Sequence, residues 1–209
     1  MVLGLAGPMV LAGAALLSSG AGTKSISTWA APDVGQLHLK GKKVAAVVLT
    51  PKPEARQGSE DYLTHELRQR GVDAVQAYSI VPASQVKDRE AVKAYFEKAG
   101  VAGVVVLRVV DRQQELTATP STWTVAYGSY WGGYYDYGMA YTYVPLPGYL
   151  SNDTILTLDT LVYDLPHDKL VYAARNSSKN PKSVESLVRE LVEKAGKDLQ
   201  KRGLVGAAQ

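Results

Sequence analysis

The 209-residue chain has no cysteine, so disulfides, thiolate metal sites and cysteine nucleophiles are excluded. Histidine is scarce: His38, His65 and His167 share no metal-ligand spacing with one another or with carboxylates. No excess of one charge exists either. With 23 basic and 20 acidic residues the formal net charge is +3, and there is no basic stripe of the kind a nucleic-acid surface needs. No Walker sequence and no Gly-x-Ser-x-Gly elbow occurs. The glycine fingerprint of a dinucleotide site is also missing. Where it belongs, after the first apolar run, stands Thr50-Pro-Lys-Pro-Glu-Ala-Arg-Gln-Gly58, whose two prolines remove amide donors that an anion would need. The residues therefore imply no enzyme, no catalytic constellation, no cofactor and no metal.

What is present is an alternation of apolar runs and helical periodicity between Lys42 and Val110. Lys43-Val-Ala-Ala-Val-Val-Leu-Thr50 and Val101 to Val110 lack polar alternation, as strands covered on both faces require. A helix from about Ser59 shows Tyr62, Leu63 and Leu67 on one side and ends near Gly71. A more polar strand, Val72 to Tyr78, follows. Asp88 caps a second helix with Ala91, Val92, Tyr95, Phe96 and Ala99 at helical spacing, closed by Gly100. Thr154 to Asp164 and Leu170 to Ala174 flank the turn residues Pro166-His-Asp-Lys169 and read as a β-hairpin. Asn180-Pro181 predicts the start of a final amphipathic helix with the stripe Val184, Leu187, Val188, Leu191, Val192, Ala195 and Leu199, ended by Gly203.

These elements predict one α/β domain with a mixed five-stranded sheet in the order 2-1-3-4-5 and three helices. The two most apolar strands are central neighbours, and right-handed crossovers send the first two helices to opposite faces. The boundaries are 1–23 for an export signal or membrane anchor, 24–41 for a tether, and 42–205 for the domain, with an aromatic insertion at 120–150.

The leader carries no charge before Lys24, and small residues, Ser18 to Gly22, follow its apolar run. That run has the length of a signal h-region and falls short of the ~20 residues of a comfortable membrane span. A basic residue ahead of it is missing. Export signal, retained anchor and buried helix all fit, and the export signal fits best.

The insertion is the unusual feature. Eight of the thirteen tyrosines lie between Tyr127 and Tyr149, among repeated glycines and with few aliphatic residues for a core. A loop this long is uncommon unless it is functional or a spacer. Tyr130, Trp131, Tyr134, Tyr135 and Tyr137 form the candidate recognition surface, since aromatics supply contact area at low entropic cost. A second candidate is an anion site of Lys52, Arg56 and Arg112 at the ends of the first and third predicted strands, with Asp111 beside it, where open α/β sheets bind ligands.

Several stretches together resemble small Gram-negative envelope lipoproteins that carry a domain of unknown function. They are Thr23-Lys24 and Trp29 after the leader, the Lys42–Leu49 strand and Gly100-Val-Ala-Gly-Val-Val-Val-Leu107. The Tyr/Gly-rich insertion, Thr160-Leu-Val-Tyr-Asp164 with Lys169-Leu-Val-Tyr172, and a last helix ending at Gly203-Leu204 complete the likeness. The resemblance implies an envelope location, periplasmic or at the outer membrane, and no established activity. Such proteins place a cysteine after the leader for acylation. Here Gly20 stands at that place and offers no thiol. The expectation is thus a non-enzymatic envelope protein that binds a protein or wall partner, touches membrane only through its N-terminal segment, and binds no nucleic acid. The alternative is a small-molecule or nucleotide-binding domain.

Overall fold

The structure, a computed structural model, describes residues 22–32, 37, 41–50, 52–116, 119–121, 144–146 and 152–205. The strands are β1 (Gly22–Ala30), β2 (Lys43–Leu49), β3 (Asp73–Gln76), β4 (Gly103–Leu116), β5 (Thr119–Ser121), β6 (Val144–Leu146), β7 (Asn152–Asp164) and β8 (Lys169–Lys179). The helices are α1 (Pro53–Arg68), α2 (Arg89–Lys98) and α3 (Val184–Lys201). Six strands form one mixed sheet in the order β1-β8-β7-β4-β2-β3, while β5 and β6 make a separate two-stranded ribbon. Three strands at one edge are parallel, β2 running with β3 on one side and β4 on the other, and the remaining pairings of this sheet are antiparallel.

The expected five strands are corrected to six. The added one, β1, lies in the segment read as leader end and tether, and pairs antiparallel with β8 from Gly22↔Lys179 to Ala30↔Tyr172. An edge strand pairs on one side only, so its sequence, Gly-Thr-Lys-Ser-Ile-Ser-Thr-Trp-Ala, needs no continuous apolar run. Lys24 and the bulge between Ser25 and Ser27 are devices that keep such an edge from recruiting another strand.

The two faces of β2 explain its unbroken apolar run. Val44, Ala46 and Val48 pack with Leu63 and Leu67 of α1 and with Leu187, Val188, Leu191, Val192, Ala195 and Leu199 of α3. Ala45, Val47 and Leu49 pack with Val92 and Phe96 of α2 and with Val104 and Val106 of β4. Helices α1 and α2 therefore lie on opposite faces, and α3 joins α1.

Helix boundaries move for physical reasons. Helix α1 begins at Pro53, six residues before the expected Ser59, because a proline at the first helical position costs no hydrogen bond. Tyr62, expected on its apolar side, is exposed. Strand β3, expected over Val72 to Tyr78, stops at Gln76, where a 3-10 turn takes over at Ala77–Ser79. Asp88 caps α2 as expected, its side chain accepting from the Ala91 amide at 3.0 Å. Helix α3 starts at Val184, later than Asn180-Pro181, because Ser183 and Ser186 form a reciprocal capping box. Asn180 instead takes a left-handed turn (φ 48°) and binds Thr154 and Asp153, fastening the end of β8 to β7.

Candidate functional site

Parity along the strands brings three charges into one row. Arg108 shares a side of β4 with Val104 and Val106, Asp159 a side of β7 with Leu161 and Tyr163, and Arg175 a side of β8 with Ala173. The register sets Arg108 opposite Asp159 and Asp159 opposite Arg175. Asp159 Oδ2 accepts from Arg108 Nη2 at 2.6 Å and Arg175 Nη2 at 2.9 Å, while Oδ1 accepts from Arg175 Nε at 2.7 Å. The three residues are 2%, 3% and 0% exposed. A bidentate guanidinium on one side and a second cation on the other is a strong, geometrically specific arrangement. It pins three strands in register, because a one-residue slip would turn these charges into the α1/α3 core. In the sequence the only mark of this row is a lone Arg within the apolar run Val104–Val109.

A second buried carboxylate sits where ladder bonding stops. The β2–β3 pairing ends at Ala46↔Gln76. Glu60 of α1, fully buried, accepts from the Val48 amide at 3.3 Å, the Tyr78 amide at 2.8 Å and Arg56 Nε at 2.8 Å. Burial pushes its carboxyl above the ordinary carboxylate value, opposed by the Arg56 charge and by these hydrogen bonds. Glu66, one turn and a half further along α1, meets Arg70 at 2.7 Å and Arg189 of α3 at 3.2 Å. Burial alone would raise it, but the two guanidiniums hold it below the ordinary value. Glu60 and Glu66 thus dock α1, one onto the sheet and one onto α3.

The expected anion-site residues lie on α1, just before it, and on β4. Arg56 is turned onto Glu60, Lys52 is exposed ahead of α1, and Arg112 is exposed on β4 opposite Leu156. Arg112 stands four residues beyond Arg108, the partner of Leu49 at the end of β2. Among the described residues no hydrogen bond or ion pair joins the three. Asp111 accepts from Gln113 at 2.8 Å. His65 and His167 are exposed, and His38 lies outside the described residues. Among those residues there is no group of three or more metal-ligating side chains.

The candidate recognition residues Tyr130, Trp131, Tyr134, Tyr135 and Tyr137 lie outside the described residues, but the elements leading to them are clear. Strand β4 continues from Val109 to Leu116, past the end of β2, and apart from a bulge between Val109 and Asp111 it is paired with β7 as far as Leu116↔Asn152. The β5–β6 ribbon, Thr119↔Leu146 to Ser121↔Val144, then holds the two ends of the insertion side by side.

No family model matches the sequence, and no curated protein matches it. Among solved structures, the PelC dodecamer from Paraburkholderia phytofirmans is similar at 14% identity and TM-score 0.45, over 85% of this chain and 97% of that one. A leucine-to-methionine variant of the same dodecamer is similar at 16% identity and TM-score 0.43, over 85% of this chain and 96% of that one. Likeness at this level carries no argument about activity or assembly.

Proposed function

We propose that the chain is a non-enzymatic bacterial cell-envelope protein, exported to the periplasm or outer membrane, that binds a protein or wall partner through its Tyr/Gly-rich insertion. The observation that supports this reading is the long β4–β7 arm. A spacer needs no such mounting. Here two strands of 14 and 13 residues project past the parallel core and deliver both ends of the insertion together. Rigid elements that carry a loop of contact-forming side chains are a common plan for binding sites.

The buried charges serve the frame in this reading. Arg108, Asp159 and Arg175 fix the arm at its root, and Glu60 fixes α1. The alternative, a small-molecule or nucleotide-binding domain at the ends of β2 and β4, has less support, because Arg56 is engaged by Glu60 and Arg112 stands apart.

The test is recovery of partners from envelope extract by the full chain and by a chain with residues 127–149 replaced by a Gly/Asn turn. The reading expects a partner retained by the first and lost by the second, with both chains folded by circular dichroism. Equal recovery by the two would remove the insertion from the binding surface.

A further inference from the structure

We infer that the α1/α3 side of the β4–β7 arm docks an acidic, amphipathic polypeptide segment of the partner. The inference rests on the partner-binding reading above and adds a second contact surface to it. The register places the residues. Val109 of β4 and Leu156 of β7 pack against the edge of the core that holds α1 and α3, and both stay half-buried. Arg112 stands opposite Leu156, so it shares that side. The bulge between Val109 and Asp111 turns it there; without the extra residue Arg112 would share a side with Arg108. The Asn180 amide donates to the Thr154 carbonyl at 2.8 Å, two residues from Leu156. From there the chain reaches exposed Lys182 and then Val184, which is 47% exposed. Lys52, also exposed, immediately precedes α1 on the same side of the sheet.

The surface so formed has an apolar floor and a rim of one sign. Elsewhere on α1 and α3 cations are matched: Arg56 meets Glu60, Arg189 meets Glu66 and Glu185, Lys197 meets Glu193 and Arg202 meets Asp198. Among the described residues no carboxylate pairs with Lys52, Arg112 or Lys182. The nearby carboxylates are engaged or lie on another side. Asp153 is held by Lys179 and Asn180, and Glu185 by Arg189. Glu54 shares a side of α1 with Asp61, seven residues on, which binds Gln76 and Tyr78. The rim spans the strands from β2 to β8, three sheet spacings or about 14 Å. That is too wide for one small anion and matches about four residues of extended chain. Carboxylates along such a segment answer the three cations, and its apolar side chains cover Val109, Leu156 and Val184. An anionic polysaccharide answers the charges but leaves the apolar floor uncovered, so the floor favours a polypeptide.

The test uses the full chain and a short fluorescein-labelled peptide of glutamate and leucine residues, with binding read by anisotropy. Arg112→Glu with Lys182→Glu reverses two rim charges. Lys42→Glu with Lys98→Glu makes the same change in net charge at the opposite end of β2, where both lysines are exposed. The inference expects binding by the unmodified chain, a loss of at least about tenfold in the first variant and little change in the second, with every chain folded by circular dichroism. Val184→Ser should weaken the leucine peptide as well, and a peptide of glutamate and serine should bind the unmodified chain less tightly. An unmodified chain that binds no peptide, or equal loss in the two double variants, overturns the inference. So does equal binding of the serine peptide or of oligogalacturonate, which would reduce the surface to one for any polyanion. Recovery of partners from envelope extract separates this from the reading it rests on. Partners held through residues 127–149 while the peptide result fails break only this surface. A full chain that recovers no partner breaks the binding reading itself.

Discussion

Replacing Asp159 by alanine would expose how the buried charge row works. The carboxylate is 3% exposed and accepts three charge-assisted hydrogen bonds from two guanidiniums that are 2% and 0% exposed. Its removal leaves two cations in the interior without the anion between them. Breaking a buried pair from one side costs about 3–5 kcal/mol. In a chain of this size that corresponds to a fall in melting temperature of roughly 6–20 °C, at ~2–4 °C per kcal/mol. The assay is urea unfolding followed by far-UV circular dichroism, with the slope compared to confirm a common unfolded state. A triple variant, Arg108→Met with Asp159→Leu and Arg175→Met, removes all three charges and the desolvation they impose. It should lose less stability than Asp159→Ala alone, because apolar replacement of a whole buried cluster is often neutral. If Asp159→Ala unfolds within ~0.5 kcal/mol of the parent, the range of ordinary surface substitutions, the row is not buried as described and the register argument fails.

Three further outcomes follow from the same structure. Glu60 and Glu66 should show pH dependences of opposite sign. Glu60 keeps its proton at pH values where the unfolded chain has lost it, so its stabilising contribution is full below pH 4.5 and declines as pH rises through the raised folded value. Glu66 is held below 4.5, so its contribution is full above that value and is lost as pH falls. The stability difference between parent and Glu60→Gln should therefore shrink with rising pH, and that for Glu66→Gln should grow; chemical unfolding across pH would contradict this if both slopes had one sign. Asp88→Ala removes the cap of α2 and should cost ~0.5–2 kcal/mol, whereas Asp88→Ser should recover most of it, measured by thermal unfolding. Replacing residues 127–149 by a short turn removes β6 but no strand of the main sheet, so the melting temperature should stay nearly constant; closure entropy changes by only about 0.6 kcal/mol per doubling of loop length. Collapse of the domain would show that the aromatics pack onto the sheet.

Legibility in the sequence followed the periodicity of burial. Strands β2 and β4, buried on both faces, showed as unbroken apolar runs, and α2 and α3 showed as stripes whose positions Val92, Phe96, Leu187, Leu191 and Leu199 are all buried. Strand β1 escaped because an edge strand with exposed Lys24, Ser25 and Ile26 has neither an apolar run nor clean alternation. The end of β8 escaped because Arg175-Asn176-Ser177-Ser178 is polar, yet three of the four are buried. Their partners on β1 and β7, not their own hydrophobicity, place them in the sheet. The charge row was illegible for a related reason. Arg108, Asp159 and Arg175 are far apart in the chain, and only the register between strands makes them neighbours. On the solvent face of α3, Glu185 pairs with Arg189, Glu193 with Lys197 and Asp198 with Arg202, each at i,i+4 spacing. Glu190 accepts from the Thr23 amide at 3.1 Å and ties α3 to β1.

No described helix is long and apolar enough to cross a membrane, and the proposed envelope location is argued from the apolar leader. Mass measurement of the chain's N-terminus after cell fractionation tests it most directly. The account predicts a chain in the envelope fraction, shortened after the small residues Ser18 to Gly22 and carrying no acyl group, since Gly20 has no thiol. A chain beginning at an intact Met1 in the soluble cytosolic fraction would contradict it.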